Sequence, residues 1–258
     1  MDAVILAGGE EEIGSPLYDY THGKNKTLLD LAGKTMIQWS VDALTGAESV
    51  DRLHVIGLDE SAGISSEKPL EYYPDQGSML SNILAGIELV HARNPGASHI
   101  LLASGDIPAI TPEIVDWRIQ TGLERDVDID YAVVEKDVME TRFPGANRSY
   151  IKLRDHMVCG GDMNLVHVKM IDARDLWEKL VAARKNVLKQ AVLVGWDLLL
   201  LLLIRQLTLA HAEKRVCENL SITGHVTISP YAEVAMDIDK PHQLEILRAD
   251  LARVRPPG

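Results

Sequence analysis

The run Ala3-Val4-Ile5-Leu6, ending in Ala7-Gly8-Gly9, predicts a short buried strand closed by a turn. A strand covered on both faces needs no polar alternation, and paired glycines break it cleanly. Working outward, Met36, Ile37, Trp39, Val41 and Leu44 give Thr35 to Leu44 a helical period. Arg52 to Gly57 predicts a second strand and Leu70 to Tyr73 a short third. Met79 to Val90 carries apolar residues at Leu80, Ile83, Leu84, Ile87 and Val90, a helix. His99 to Ala103 is another buried strand, ending at Ser104-Gly105-Asp106. Pro112 opens a helix to about Leu123, where its missing N–H costs nothing. Asp130 to Glu135 gives one more strand. Repeated strand–helix units predict a mainly parallel sheet with helices on both faces, a three-layer α/β/α Rossmann-like architecture.

The second half is less regular. Arg142 to Arg154 is rich in Gly, Pro, Asn and Arg, as a substrate loop would be, and Cys159 to Asn164 contains Gly160-Gly161. Helices are expected from Asp172 to Ala183, around Leu188 to Leu209, and from Ala210 to Leu220. A strand at Glu233 to Asp237 and a helix from Pro241 to about Val254 follow. With no internal repeat or clear linker, residues 1-258 are expected to form one domain with a helical elaboration about 172-220.

Composition narrows the function. At a formal charge of −12, the chain is unsuited to nucleic acid or an anionic membrane, both of which need clustered positive charge. A small anion needs only a few local cations plus a metal. Cys159 and Cys217 make no disulfide framework or zinc set and suit a reducing cytosol, so a cytoplasmic location is expected. Met1-Asp2-Ala3 lacks the basic start of a signal peptide. The greasiest segment, Ala191 to Ile204, includes Asp197 and falls short of the roughly 20 residues a membrane span needs. Its Leu198 to Leu203 run fits either a self-association surface, giving a homodimer, or a covered core helix.

Three features fall where strands end, the place open α/β sheets bind ligands. Leu6-Ala7-Gly8-Gly9 lets a ligand approach backbone closely, although a tight turn needs no more than this. Downstream, Lys24 and Lys26 return from a long polar loop, where a lysine can either reach a triphosphate or remain a surface charge. Asp106, pinned between Gly105 and Ile107-Pro108, is placed to hold a hard cation, and magnesium favours one or two carboxylates plus phosphate and water. Thr111 is better placed than Asp106 to cap the next helix. In Asp237-Ile238-Asp239, a strand would turn both carboxylates to one face, where they repel unless a cation lies between them. Equally, Asp239 or Lys240 could simply start the helix that Pro241 opens. Arg184-Lys185 fits a charged helix terminus better than an acceptor contact.

Taken in order, these motifs resemble the MobA-like NTP transferases, within the GT-A-type nucleotidyltransferase superfamily. The likeness rests on Leu6-Ala7-Gly8-Gly9, Lys26-Thr27-Leu28-Leu29, Gly33-Lys34-Thr35-Met36, Gly105-Asp106-Ile107-Pro108 and Asp237-Ile238-Asp239-Lys240-Pro241-His242-Gln243-Leu244. It implies a magnesium-dependent transfer of NMP from an NTP to a small phosphorylated acceptor. By the same resemblance, Leu6, Ala7, Gly8 and Gly9 wrap the nucleotide, Lys26 neutralises the triphosphate, and Asp106 holds Mg2+ with Asp239, Asp237 close by. Ser81 and Asn82 would meet the nucleoside; Arg142, Arg148, Gly161 and Asn164 fall where relatives place the acceptor pocket. Guanine and cytosine both fit, and molybdopterin, a sugar phosphate and a polyol phosphate all fit as acceptor.

Two departures from the family pattern bear on phosphate binding. Relatives carry Arg shortly after Gly-Gly, whereas this chain reads Glu10-Glu11-Glu12-Ile13-Gly14; the usual Pro-Lys pair is Asn25-Lys26. Like charges about 4 Å apart cost roughly 1 kcal/mol in water and several at lower dielectric. The glutamates must therefore face solvent, be compensated by metal and Lys26, or mark a site that no longer takes a triphosphate. A non-catalytic nucleotide-binding regulator and a nucleotide-sugar glycosyltransferase are the rival functions. Against the glycosyltransferase, its Asp-x-Asp pair normally follows a middle strand.

Overall fold

The first apolar run folds as expected, and its alternate side chains serve two cores. Ala3 and Ile5 pack with Ile37, Val41 and Leu44 of the helix Met36–Gly46 and with Ile114, Val115 and Ile119 of the helix Pro112–Leu123. Val4 packs instead with Ile83, Ile87 and Val90 of the helix Met79–Arg93. The protein is seen in a computed structural model that describes residues 1–173, 176–177 and 196–254. Among these, the strands are β1 (Asp2–Leu6), β2 (Asp30–Leu31), β3 (Lys34–Thr35), β4 (Arg52–Ile56), β5 (Leu70–Tyr73), β6 (His99–Ser104), β7 (Ile129–Glu135), β8 (Ile151–Lys152), β9 (Met157–Gly160), β10 (Met163–His167) and β11 (Gly224–Ser229).

The main sheet runs β5-β4-β1-β6-β10-β7-β9-β8, with β11 on β7; β2 and β3 form a separate small ladder. β5, β4, β1 and β6 are mutually parallel, as the strand–helix alternation requires. β10 then enters antiparallel to β6 and β7, while β11 lies parallel to β7. This is a mixed, mostly parallel α/β sheet of GT-A type with helices on its faces. Thr111 caps its helix as expected, and Thr35 and Ser78 do the same for theirs: each accepts a first-turn N–H, satisfying donors that the helix itself leaves free.

The second half departs from expectation in three ways. Glu233 to Asp237 is no strand; Ala232–Ala235 forms a 3-10 turn. Residues 234–238 are all buried, so their apolar run reflects a covered coil, and β11 fills the place beside β7. The stretch from Arg142 to Arg154 is not wholly loop, since it takes in the end of the helix Lys136–Arg142 and the strand β8. Around Gly160-Gly161, β9 and β10 follow the same edge of β7 in succession, with a register shift of two residues between them. They form one strand interrupted by a bulge, which re-aims side chains at such points. The expected helix from Asp172 to Ala183, the first part of that around Leu188 to Leu209, and Arg184-Lys185 lie mostly outside the described residues. The described part of the helical elaboration is Trp196–Leu203 and Leu209–Leu220. No helix among the described residues is long and apolar enough to cross a membrane.

Candidate active site

Leu6 and Ser104 are register partners across the parallel pair β1·β6. Ala7-Gly8-Gly9 and Gly105-Asp106 therefore leave the sheet side by side at its carboxyl edge. The Gly105 N–H donates to the Leu6 carbonyl at 2.9 Å, and a Cβ on Gly105 would come within 3.3 Å of Ala7 Cβ. Asp106 is 7% exposed. The Ser104 hydroxyl donates to its Oδ1 at 2.5 Å, so the carboxylate is held in one orientation.

The other carboxylates arrive on the irregular segment before Pro241. The Ile238 N–H donates to the Asp106 carbonyl at 3.2 Å, docking this segment on the loop after β6. One oxygen from each of Asp106, Asp237 and Asp239 then lies within 4.8 Å of the others. The strand geometry expected for Asp237 and Asp239 is absent, and docking on Asp106 brings the three groups together in its place.

Lys26 stands among them. Its Nζ lies 2.6 Å from Asp106 Oδ2 and 2.6 Å from Asp239 Oδ1, and donates to the Ile238 carbonyl at 3.0 Å. Burial works against the charge on this lysine, but Asp106 and Asp239 outweigh it and hold the pKa well above the ordinary value. Burial likewise opposes the Asp239 carboxylate, and Lys26, with help from Arg148 and Lys240, overcomes it and keeps its pKa low. Lys26 opens a 3-10 turn capped by Asn25, whose Oδ1 accepts the Thr27 N–H at 2.9 Å. The Asn25 amide also donates to the Ala7 carbonyl, tying the lysine turn to the glycine loop.

Arg148 closes the cluster on one side: it pairs with Asp237 and lies 3.9 Å from Asp162, the residue at the β9–β10 bulge. Arg142 is elsewhere. Its guanidinium donates to Glu233 at 2.7 Å and forks onto Asp250 at 2.8 and 2.7 Å. Asp250 is nine residues past Pro241, about 14 Å along a helix axis. The structure thus spends Arg142 on clamping that helix and does not bring it to the carboxylates. Asn164 is similarly committed to backbone, accepting from Ala132 N–H at 2.8 Å and donating to the Gly161 carbonyl at 3.3 Å. Gly161 lets the bulge lie close against β7, since a Cβ there would sit 3.0 Å from Val234 and 3.1 Å from Ala132.

On the other side of the glycine loop, Asp75 joins two turns. Its Oδ2 accepts the Gly9 N–H at 2.9 Å and its Oδ1 the Gly77 N–H at 2.9 Å. These bonds, that from Gly77 foremost and with Asn82 adding to them, hold its pKa below the usual carboxylate value against a smaller effect of burial. Asn82, 4% exposed, accepts from Gln76 N–H at 2.7 Å and donates to Asp75 at 3.1 Å. Gly8 packs so closely here that a Cβ would meet the Asn82 amide at 2.4 Å. Ser81 lies in the first turn of its helix, with its N–H on the capping Ser78 hydroxyl at 3.1 Å. In the acidic loop, Glu11 accepts from the Ser15 hydroxyl, and Glu10 and Glu12 are exposed. Sequence reasoning missed Asp75, Asp162 and Ser104. Only Asp75-Gln76-Gly77 carried a usable signal, the Asp-x-Gly pattern of a side chain bonding its own turn.

A model of the MobA-like NTP transferase domain matches residues 3–221. The chain belongs to that family. The match ends before Asp237 and Asp239, so the second and third carboxylates rest on geometry rather than on it. Among solved structures, a hypothetical transferase from Thermus thermophilus is 31% identical with a TM-score of 0.81, covering 94% of this chain and 98% of that one. A molybdenum cofactor guanylyltransferase from Rhodopseudomonas palustris is 27% identical over 136 residues, 50% of this chain and 59% of the relative. A 2-C-methyl-D-erythritol 4-phosphate cytidylyltransferase from Synechococcus is 29% identical over 99 residues, 36% of this chain and 42% of the relative. This MobA-like chain spans about half the length of the curated relatives it matches.

Proposed function

We propose that this MobA-like chain is a nucleotidyltransferase that moves a nucleoside monophosphate from a nucleoside triphosphate to a small phosphorylated acceptor, releasing pyrophosphate, with Mg2+ as cofactor. The observation that carries this function is the meeting of Asp106, Asp237 and Asp239 within 4.8 Å beside the glycine loop of β1. The curated relatives named above are both nucleotidyltransferases.

The donor set fits magnesium: all three groups are hard carboxylate oxygens, Asp106 and Asp237 are mostly buried, and Asp239 opens outward, where phosphate and water would complete the shell. A cation already lies on two of these ligands, the Lys26 ammonium. When bound, Mg2+ would supply Lewis-acid stabilisation of charge on the triphosphate. The chain's own residues do the remaining work. Gly8, packed against Asn82, and Gly9, with open space beside it and a positive φ, admit the nucleotide against backbone, and Lys26, on its tethered turn, is within reach of the phosphates. The acceptor's phosphate oxygen attacks the α-phosphorus in line, the bond to pyrophosphate breaks, and pyrophosphate departs with the electron pair. The acceptor is already anionic, so no residue has to remove a proton, and rate comes from positioning and charge compensation. Glu10 and Glu12, being exposed, can stay in solvent while the triphosphate is held by Lys26 and metal.

Pyrophosphate release from each of the four triphosphates, with Mg2+ and a panel of phosphorylated acceptors, tests the function. Asp106→Asn keeps an acceptor for Ser104 and should fold normally while losing at least 100-fold in turnover. Equal pyrophosphate release by Asp106→Asn would overturn the assignment. Triphosphate binding without release across the acceptors would favour a regulatory role.

A further inference from the structure

Gln243 is 1% exposed, and neither the lysine–carboxylate cluster nor the glycine loop uses it directly. Both ends of its amide are spent. Oε1 accepts the Asp239 N–H at 2.9 Å, and Nε2 donates to the Ala146 carbonyl at 3.2 Å. The first bond resembles a helix cap, in which a third-position Gln reaches back to a free N–H. The second has no capping purpose. It crosses to a loop far away in the chain, whose Ala146 is fully buried and lies two residues before Arg148. His242 donates to the same carbonyl at 3.0 Å.

The contacts make a closed circuit. Asp239 is held by Gln243, Gln243 holds Ala146, Arg148 two residues on pairs with Asp237, and Asp237 leads back through Ile238 to Asp239. Asp239 is also the most exposed of the three carboxylates, its side chain 56% accessible, so its own surroundings fix it least. Backbone anchoring is what can keep such a group aimed at a shared cation.

We propose that Gln243 is a positioning residue: it aims the Asp239 carboxylate at the cation site and locks the Arg148 loop to it, so that the metal side and the acceptor side of the site keep one geometry. This rests on the metal-binding function proposed above. Residues that orient metal ligands from behind typically contribute 10- to 100-fold in metal affinity, which sets the expected size.

The test is a Mn2+ titration of the full chain, followed by electron spin resonance without nucleotide, alongside thermal melting. Gln243→Met keeps length and approximate volume but removes both hydrogen bonds, and should weaken Mn2+ binding at least tenfold. Gln243→Glu keeps an acceptor for the Asp239 N–H but has no donor for the Ala146 carbonyl, so its Mn2+ affinity should fall between those of Gln243→Met and the unaltered chain. Should Gln243→Met not fold, Gln243→Leu takes its place, and a Gln243→Leu chain that binds Mn2+ as the unaltered chain does overturns the proposal. A Gln243→Met chain that melts lower yet binds Mn2+ within twofold shows a purely structural glutamine and also overturns it. If the unaltered chain binds no Mn2+, the metal function fails first and this inference with it; a normal unaltered chain with an indifferent Gln243→Met sinks the inference alone.

Discussion

The Lys26 ammonium is bonded where a divalent cation would also bind, 2.6 Å from two of the three carboxylates. Under the proposed function, lysine and metal would compete for Asp106 and Asp239 until phosphate gave the lysine another partner. A unit charge at about 4 Å interacts by about 4 kcal/mol at an effective dielectric of 20, enough to govern occupancy. Lys26→Met should therefore bind Mn2+ at least tenfold more tightly without nucleotide, even as it loses affinity for triphosphate; spin resonance and calorimetric titration measure the two. Unchanged Mn2+ affinity in Lys26→Met would remove the competition. At this scale the sequence was informative about Asp106 and the Asp237–Asp239 pair, because glycine and proline punctuation marked their positions, and about Lys26 through its polar loop and the family likeness. It was silent on which cations are already spent. Arg142 and Arg148 look alike in a Gly- and Asn-rich stretch, and only the fold turns one to Asp250 and the other to Asp237.

Elements were legible where burial is symmetrical. β1 and β6 carry unbroken apolar stretches because helices cover both faces, β4 is apolar but for Arg52 and the buried His54, and their ends fall within a residue or so of expectation. β9 and β10 were hidden because Gly160-Gly161, a turn signal in sequence, is a bulge inside a paired strand. β11 carries Val226 and Ile228 in alternation, a signal that could have been used. The joint between the parallel and mixed halves depends on a residue that no pattern marks. Arg118, on the helix Pro112–Leu123, is fully buried, lies 2.7 Å from the Asp130 carboxylate, and donates to the Met163 carbonyl at 2.9 Å. It thus binds a helix to β7 and β10 at once. Removing one partner of a buried pair leaves an uncompensated charge, at a cost of about 3–5 kcal/mol. Arg118→Met should lower the urea midpoint accordingly, and Arg118→Met with Asp130→Leu should recover part of it. A single variant as stable as the unaltered chain would show that Asp130 needs no partner.

Across the whole molecule, acid should undo the fold through carboxylates held at distant points of the sheet. Asp2, at the start of β1, is 5% exposed; its hydrogen bond with His54 lowers its pKa against burial, and Asn94 assists. Asp128, just before β7, loses more to burial, yet Lys169 at 2.7 Å and the Thr223 N–H and hydroxyl together bring its pKa below normal. Both groups thus titrate lower in the folded chain than their ordinary value of 3.8. For a depressed pKa the folded state binds fewer protons than the unfolded one, so stability rises with pH across that interval. The stabilisation is complete above 3.8 and drains away as pH falls from there through the folded values. Urea midpoints should accordingly vary little on account of these two groups between neutral pH and about 5, then drop steeply below about 4. Asp2→Asn and Asp128→Asn should each start lower at neutral pH and lose less on acidification, and because the two sites are far apart their effects should add. An acid slope identical in the unaltered chain and both variants would mean that neither carboxylate is held by the partners named here.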